Sequence, residues 1–345
     1  MVILHGVFIG YQSALEYWQK ALAEEALAGK KVRACKITTV TLDAKELREV
    51  APWNLSLPLH VLVGSKGTHK ERKSLKRHFC SGVFPDGSFI KADNGLIVSS
   101  PELCFVQMAS ELSFVELVLL GFELCGSYRL DRTSELERGF RDDQPLTSTA
   151  KLASYLAKAK GLKGCVNAQK ALRYIADNSA SPMESNLTIL LTFPYRLGGF
   201  GFSMPLLNYP VRIPSDVHRK EYKPTLFCDL FWPDVKVDVE YDSDSSHTAS
   251  EKIARDSIRR NSLSSVGITV ITVTKRQVYS TSELRKAAET LSRLLKKRLK
   301  CSKRFPIHHA TLHRQLLIRM PEAQYFGTSL GGWRKTEAAP LPPGR

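Results

Sequence analysis

The chain has no long apolar run. Stretches such as "FVELVLLGF" fall far short of the roughly 20 residues that cross a bilayer, and nothing at the start pairs a charged segment with a signal-like apolar core. This argues against a helical membrane protein, so a cytoplasmic protein with no membrane partner is expected. Cysteine is sparse. The seven residues, at 35, 80, 104, 125, 165, 228 and 301, are odd in number, scattered and never spaced CxxC, which argues against a disulfide framework and a structural zinc site. They are expected to be reduced and packed. No internal repeat is visible. Acidic residues are also short: 34 Asp and Glu stand against 50 Lys and Arg, a formal net charge of +16. What is present is enough for a core. With 345 residues, 43% of them hydrophobic, the chain suits two domains at roughly 100–200 residues each.

The basic excess is uneven. Lys275 to Arg304 holds eleven Lys and Arg against Glu283 and Glu289, and "SKGTHKERKSLKRH", Ser65 to His78, holds six against Glu71. Either tract alone is what a solvated helix face looks like. Two of them suggest a polyanion, most often nucleic acid, because neutralising phosphates releases condensed counterions.

In the first half, "GYQSALEYWQKALAEEALAGK" reads as a helix closed by Gly29, and "LHVLVG" as a short strand. "DGSFIKADNGLIVSS" reads as two strands around Asp93-Asn94-Gly95. Ser100, Pro101 and Glu102 suit a helix cap and first turn, followed by a buried helix or helix pair. These elements outline an α+β domain over residues 1–130. Residues 131–178 begin as a polar link and continue as two helices broken by Gly161 and Gly164, the second ending near Asn178. A second domain follows over 179–304, with Ser181 capping, Pro182 starting and Glu184 in the first turn of its opening helix. The glycines of "YRLGGFGF" lack a following Lys-Ser/Thr and read as a connector. Near the end, Ser280 with Glu283 fits a capping box, and Leu284, Ala288, Leu291 and Leu295 form one helical stripe. Residues 305–345 read as a partly disordered tail.

Chemistry concentrates in "KPTLFCDLFWPDVKVDVEYDSDSSH". Leu226 to Phe231 is a strand, Trp232-Pro233-Asp234 a turn, and Val235, Val237, Val239 and Tyr241 alternate along a second strand whose other face carries Lys236, Asp238, Glu240 and Asp242. A tight hairpin about Pro233-Asp234 sets Asp229 opposite Asp238, one diagonal step from Glu240. Carboxylates that converge repel one another unless a cation sits among them, and Mg²⁺ takes one or two carboxylates while water and substrate phosphate fill its other positions. Asp229, Glu240 and Asp242 are therefore candidate metal ligands for Mg²⁺ or Mn²⁺. His247 is near enough in sequence to activate water or donate to a scissile phosphate. The same acids also fit the solvated edge of a sheet.

The ordered set "SPMES", "CDLFWPDVKVDVEYD" and "SSHTASEKIARDSIRRNSLSSVGITVITVT" resembles the very-short-patch-repair-like endonuclease domain of the PD-(D/E)XK superfamily, over about Ser179 to Lys300. The resemblance implies a restriction-endonuclease-like mixed sheet flanked by helices, α/β in class. It places Glu184, Asp229, Glu240 with Asp242, and His247 at the family's catalytic positions, and Asp256 and Arg259 at its D-x-x-R positions. Ser243 stands where the family has glycine, and Asp242 where the classical motif has lysine. "SSPELCFVQMA" and "GFELCGSY" give the N-terminal half a resemblance to AbiEi-type antitoxin or transcriptional-regulator proteins, which implies a DNA-binding or regulatory module with a possible protein partner.

Three functions fit. In a metal-dependent DNA endonuclease, Glu184 would position metal-bound water and Arg255, Arg259, Arg260, Lys275 and Arg276 would track backbone phosphates. An antitoxin-like, non-catalytic DNA-binding regulator would keep the fold and the basic surface. An interaction module would carry acids without chemistry. Metal binding separates the first from the others.

Overall fold

The computed structural model describes residues 6–33, 35–37, 55–65, 73–92, 96–131, 139–214, 225–243, 250–300 and 302–317, the side chains of 250–255 excepted. The protein is α/β, with mixed sheets and helices. It divides into two units. Of the described residues, the first takes the chain up to Leu124 with Arg129–Arg173, and the second takes Cys125–Tyr128 with the chain from Tyr174 to Leu317.

The first unit holds β1 (Val7–Ile9), α1 (Tyr11–Lys20), α2 (Ala23–Leu27), β2 (Lys30–Lys31), β3 (Cys35–Lys36), β4 (Leu59–Val63), β5 (Leu75–Phe79), β6 (Val83–Phe84), β7 (Phe89–Lys91) and β8 (Leu96–Ser99). Six strands make one mixed sheet in the order β2-β7-β8-β1-β4-β5, and β3 pairs with β6 apart from it. Where one opening helix is expected, there are two, because Ala21 and Leu22 take extended backbone. α3 (Pro101–Met108) starts as its sequence dictates: Ser100 accepts the Leu103 amide at 3.3 Å and Pro101 holds the first turn. After α4 (Phe114–Cys125), β9 (Tyr128–Leu130) pairs with β10 (Phe140–Asp142). Of the expected link-and-helix segment, the two helices belong to this unit, since α5 (Thr149–Lys158) and α6 (Cys165–Leu172) pack on α3, while the residues from Tyr174 fall in the second. α6 stops short of Asn178, whose left-handed φ of 68° cannot continue a helix.

The second unit opens with α7 (Pro182–Thr192), where Ser181 accepts the Glu184 amide at 3.1 Å. Its sheet runs β11-β12-β13-β14, from β11 (Leu206–Arg212), β12 (Thr225–Trp232), β13 (Val237–Asp242) and β14 (Thr269–Thr274). The first three strands are antiparallel and β14 is parallel to β13, so a crossover is required. The crossover carries α8 (Ser250–Ser265), and α9 (Lys275–Tyr279), α10 (Thr281–Leu294) and α11 (Phe305–Leu317) follow. Leu284, Ala288 and Leu291 are buried, and Leu295, just past the helix end, is half-buried. Leu284→Ala is expected to cost about 2–5 kcal/mol of unfolding free energy in urea denaturation, through lost apolar transfer and a cavity.

α11 occupies part of the expected tail and packs on α7 and α10, with His309 Nδ1 2.7 Å from the Gly198 carbonyl. The segment "EAAPLPPGR" lies outside the described residues. None of the six described cysteines is in a disulfide; Cys80 is half-buried and the rest are buried. Among the described residues, no helix is long and apolar enough to cross a membrane.

Candidate functional site

The β12–β13 hairpin is looser than a tight two-residue turn. Pro233–Val235 forms a 3-10 turn and Lys236 is left-handed at φ 51°, so Val235 sits in the turn instead of the strand. The two extra residues move the pairing by two: Phe231, and not Asp229, stands opposite Asp238, and Leu230 opposite Val239. Asp229 is thereby brought level with the far end of β13, where its Oδ2 accepts the Tyr241 amide at 3.0 Å.

On the other side of β12 the ladder is broken at one point. Leu206 pairs with Phe231 and Leu207 with Leu230, pairing lapses at Asn208 and Asp229, and it resumes with Tyr209 and Cys228. Asn208 has a left-handed φ of 46°. The register is the same on both sides, so no residue is inserted, and the irregularity falls on the hairpin acid.

Glu184 reaches the same place from the first turn of α7. Its Oε2 accepts the Ala180 amide at 2.9 Å and the Asn208 side-chain amide at 2.7 Å, while Oε1 accepts the Ser181 hydroxyl at 3.1 Å. Burial raises its pKa and these three bonds oppose the rise. Asp229 is pushed up to about 7, by burial first and then by the charges of Glu184 and, more weakly, Glu240. That mutual repulsion is the electrostatic mark of carboxylates drawn together.

Glu240 is not left to repel. Arg259, one helical turn before the buried Leu263 on α8, gives it Nε at 2.8 Å and Nη2 at 2.7 Å, and also bonds the Phe227 carbonyl. Arg259 is thus a structural clamp on Glu240 where a phosphate contact was expected. Leu263 packs with Phe231, Cys228 and Ile268, which fixes the height at which Arg259 meets the strand.

Asp238 is the residue that sequence pattern misses. Its alternation places it on the polar face, yet its relative exposure is 0% and neither carboxyl oxygen meets a donor at full hydrogen-bond geometry, the Cys228 thiol being a weak donor beside it. Burial, then Glu240 and Asp229, push its pKa up to about 8, with the adjacent Cys228 thiol and Arg259 opposing. Its surroundings thus favour the neutral form of the acid. Paired with Phe231, which packs with Leu263 of α8, it could have been recognised only from the register and the helix together.

The remaining candidates are dispersed. Asp242 ends β13 opposite Thr274 and is half-buried. Ser243 is exposed, and His247 lies outside the described residues, as does the Arg255 side chain. Asp256 is exposed, and Arg260 Nε bonds the Asp256 carbonyl at 3.4 Å. Lys275 and Arg276 are exposed on α9, with Lys275 Nζ 5.9 Å from the centre of the Tyr279 ring.

Among the described residues, no three His, Cys, Asp or Glu side chains are grouped to hold a metal ion. The expected triad of Asp229, Glu240 and Asp242 is not among such groups, and Glu240 is paired with Arg259 instead. Asp229 has committed Oδ2 and Glu240 has committed Oε1, which leaves one oxygen of each without a hydrogen bond among the described residues. These two oxygens, on adjacent strands, are the ones that could be offered to a hard cation.

No family model matches the chain, and no solved structure matches it. Two curated proteins do. They are uncharacterized proteins of Mycobacterium tuberculosis, from strains CDC 1551 / Oshkosh and ATCC 25618 / H37Rv, each 25% identical over 124 residues. The match covers 36% of this chain and 41% of each relative, so this chain spans less than half the length of either.

Proposed function

We propose that the second unit is a metal-dependent DNA endonuclease of restriction-endonuclease-like fold, and that the first is an attached DNA-binding or regulatory module. The observation that carries this is the convergence on one hairpin of Asp229, raised to about 7 partly by neighbouring acids, with Glu184 and Glu240 as those neighbours. Such a cluster is costly for folding and useful for holding a cation. Bound Mg²⁺ or Mn²⁺ would supply Lewis acidity and an acidified water. Asp229 and Glu240 would offer one oxygen each, and Glu184 would orient the attacking water. Arg259 would hold Glu240 in place. The basic excess, +16 over the whole chain, would draw the phosphate backbone in.

A second reading draws on the Arg259–Glu240 pair at 2.7 Å. An internal guanidinium already provides positive charge at the hairpin, so the fold can rest without metal and serve as a non-catalytic DNA-binding regulator. One experiment divides the two. The protein is incubated with plasmid and with mismatched duplex, with Mg²⁺, Mn²⁺ or EDTA, and binding is followed from low to high salt. Cutting in either metal and none in EDTA is expected. Binding should fall steeply with salt, by about tenfold or more per fourfold increase, as counterion release requires. Salt-sensitive binding without cutting in any metal overturns the enzyme and leaves the regulator. Salt-insensitive binding overturns both.

A further inference from the structure

We infer that Asn208 is a positioning residue that sets Glu184 against Asp229, a role that rests on the endonuclease reading of this hairpin. Three independent features meet at it. Its backbone is left-handed at φ 46°, in the middle of an edge strand whose neighbours pair regularly. Pairing between β11 and β12 lapses at Asn208 and Asp229 and holds on both sides. Its side-chain amide is spanned between the Glu184 carboxylate at 2.7 Å and the Asn178 carbonyl at 2.9 Å.

The residue type suits each demand. Left-handed backbone costs an ordinary L-residue about 1 kcal/mol, and asparagine tolerates it better than any residue except glycine. Both partners of the side chain are pure acceptors, so only the NH₂ orientation satisfies them. Asparagine supplies two donors with no charge, so it fastens the Glu184 carboxyl without adding the positive charge that Lys or Arg would. The second anchor, Asn178, is itself left-handed at φ 68°, so the link runs between two turns of fixed geometry. At the same break in the ladder the Asp229 carboxylate accepts the Tyr241 amide at 3.0 Å. Asn208 therefore holds Glu184 at the point where the strand presents Asp229, a place where local backbone strain is tolerated.

The test uses the full chain with Asn208→Gly, Asn208→Asp and Glu184→Ala. Glycine keeps the left-handed turn and removes the amide. Aspartate keeps the shape and replaces a donor with an acceptor facing Glu184. In Mg²⁺-supported cleavage, kcat is expected to fall by about tenfold or more in Asn208→Gly and further in Asn208→Asp, with KM for DNA unchanged within about twofold. In urea unfolding, the cost of Asn208→Gly should largely vanish in the Glu184→Ala background, because the bond it removes is already gone. Wild-type kcat in Asn208→Gly, or additive stability effects of Asn208→Gly and Glu184→Ala, would overturn the inference. If the wild-type protein cuts nothing, the endonuclease reading fails by itself and the stability cycle alone decides the Asn208–Glu184 coupling.

Discussion

Alanine at Asp229 or at Glu240 is expected to lower Mg²⁺-supported DNA cleavage by roughly three orders of magnitude, the loss of several kcal/mol of transition-state stabilisation. DNA binding should stay level or tighten, since each change removes a charge that repels phosphate. The two variants differ in a way that the structure specifies. Asp229→Ala strips the Tyr241 amide of its 3.0 Å acceptor, so part of its effect could come from a loosened β13. Asp229→Asn keeps an acceptor there and removes the charge. It should be as inactive as alanine yet no less stable than wild type, because it also relieves a buried acid of its conflict with Glu184 and Glu240. Glu240→Ala frees Arg259 from its 2.7 Å partner while leaving its bond to Phe227, so the guanidinium gains freedom to meet phosphate and this variant should bind DNA the tighter of the two. Cleavage is read on end-labelled duplex and binding by fluorescence anisotropy. An active Asp229→Asn would remove Asp229 from the chemistry.

How much of this was legible beforehand follows from what each signal encodes. Period-two alternation is local, and the strand forms from Val237 to Asp242, while Val235, which the pattern also places in it, stays in the turn. The α10 stripe at Leu284, Ala288 and Leu291 is buried for the same reason, as is the capped start of α7 at Ser181. The hairpin register is not local. It depends on whether Val235 and Lys236 join the turn, and Lys236 adopts a left-handed φ that its residue type does not announce. A shift of two keeps every side chain on its face, so the acid cluster survives, but its neighbours change: Asp238 moves opposite Phe231, and the Tyr241 amide comes to Asp229.

Arg259 illustrates a different limit. A helix rich in arginine in a chain of net charge +16 suggests phosphate contacts, and the exposed Arg260, Lys275 and Arg276 remain free to make them. Whether one arginine of such a helix turns inward depends on where its turn meets the sheet, which Leu263 decides by packing against Phe231. Asn208 was invisible for a related reason: a single asparagine in a strand with a proline two residues on carries no pattern, and its role arises only when α7 delivers Glu184 beside it.

Stability of the second unit should fall as pH rises from about 4 to about 8. Asp238 is pushed up to about 8 and Asp229 to about 7, both far above the ~3.9 of an unfolded aspartate. Below about pH 4 both groups are protonated in both states, and their full contribution is present. Between about pH 4 and pH 8 the unfolded chain has released protons that the folded chain still holds, so unfolding becomes progressively easier as pH increases. Asp238, with no exposure and only the weak Cys228 thiol donor beside it, carries the larger share. Asp238→Leu should therefore be more stable than wild type at pH 8 by about 1–4 kcal/mol, in line with other replacements of buried charge by apolar groups, and should lose most of that advantage at pH 5. Urea unfolding monitored by hydrogen exchange at the Val239 and Tyr241 amides reads this unit separately from the first. Saturating Mg²⁺ should add stability to the wild type at pH 8 by mass action on the folded state, and should add none to Asp229→Ala. A pH slope in Asp238→Leu equal to that of the wild type would mean that Asp238 ionises freely in the fold, and the proton would have to be sought on Asp229.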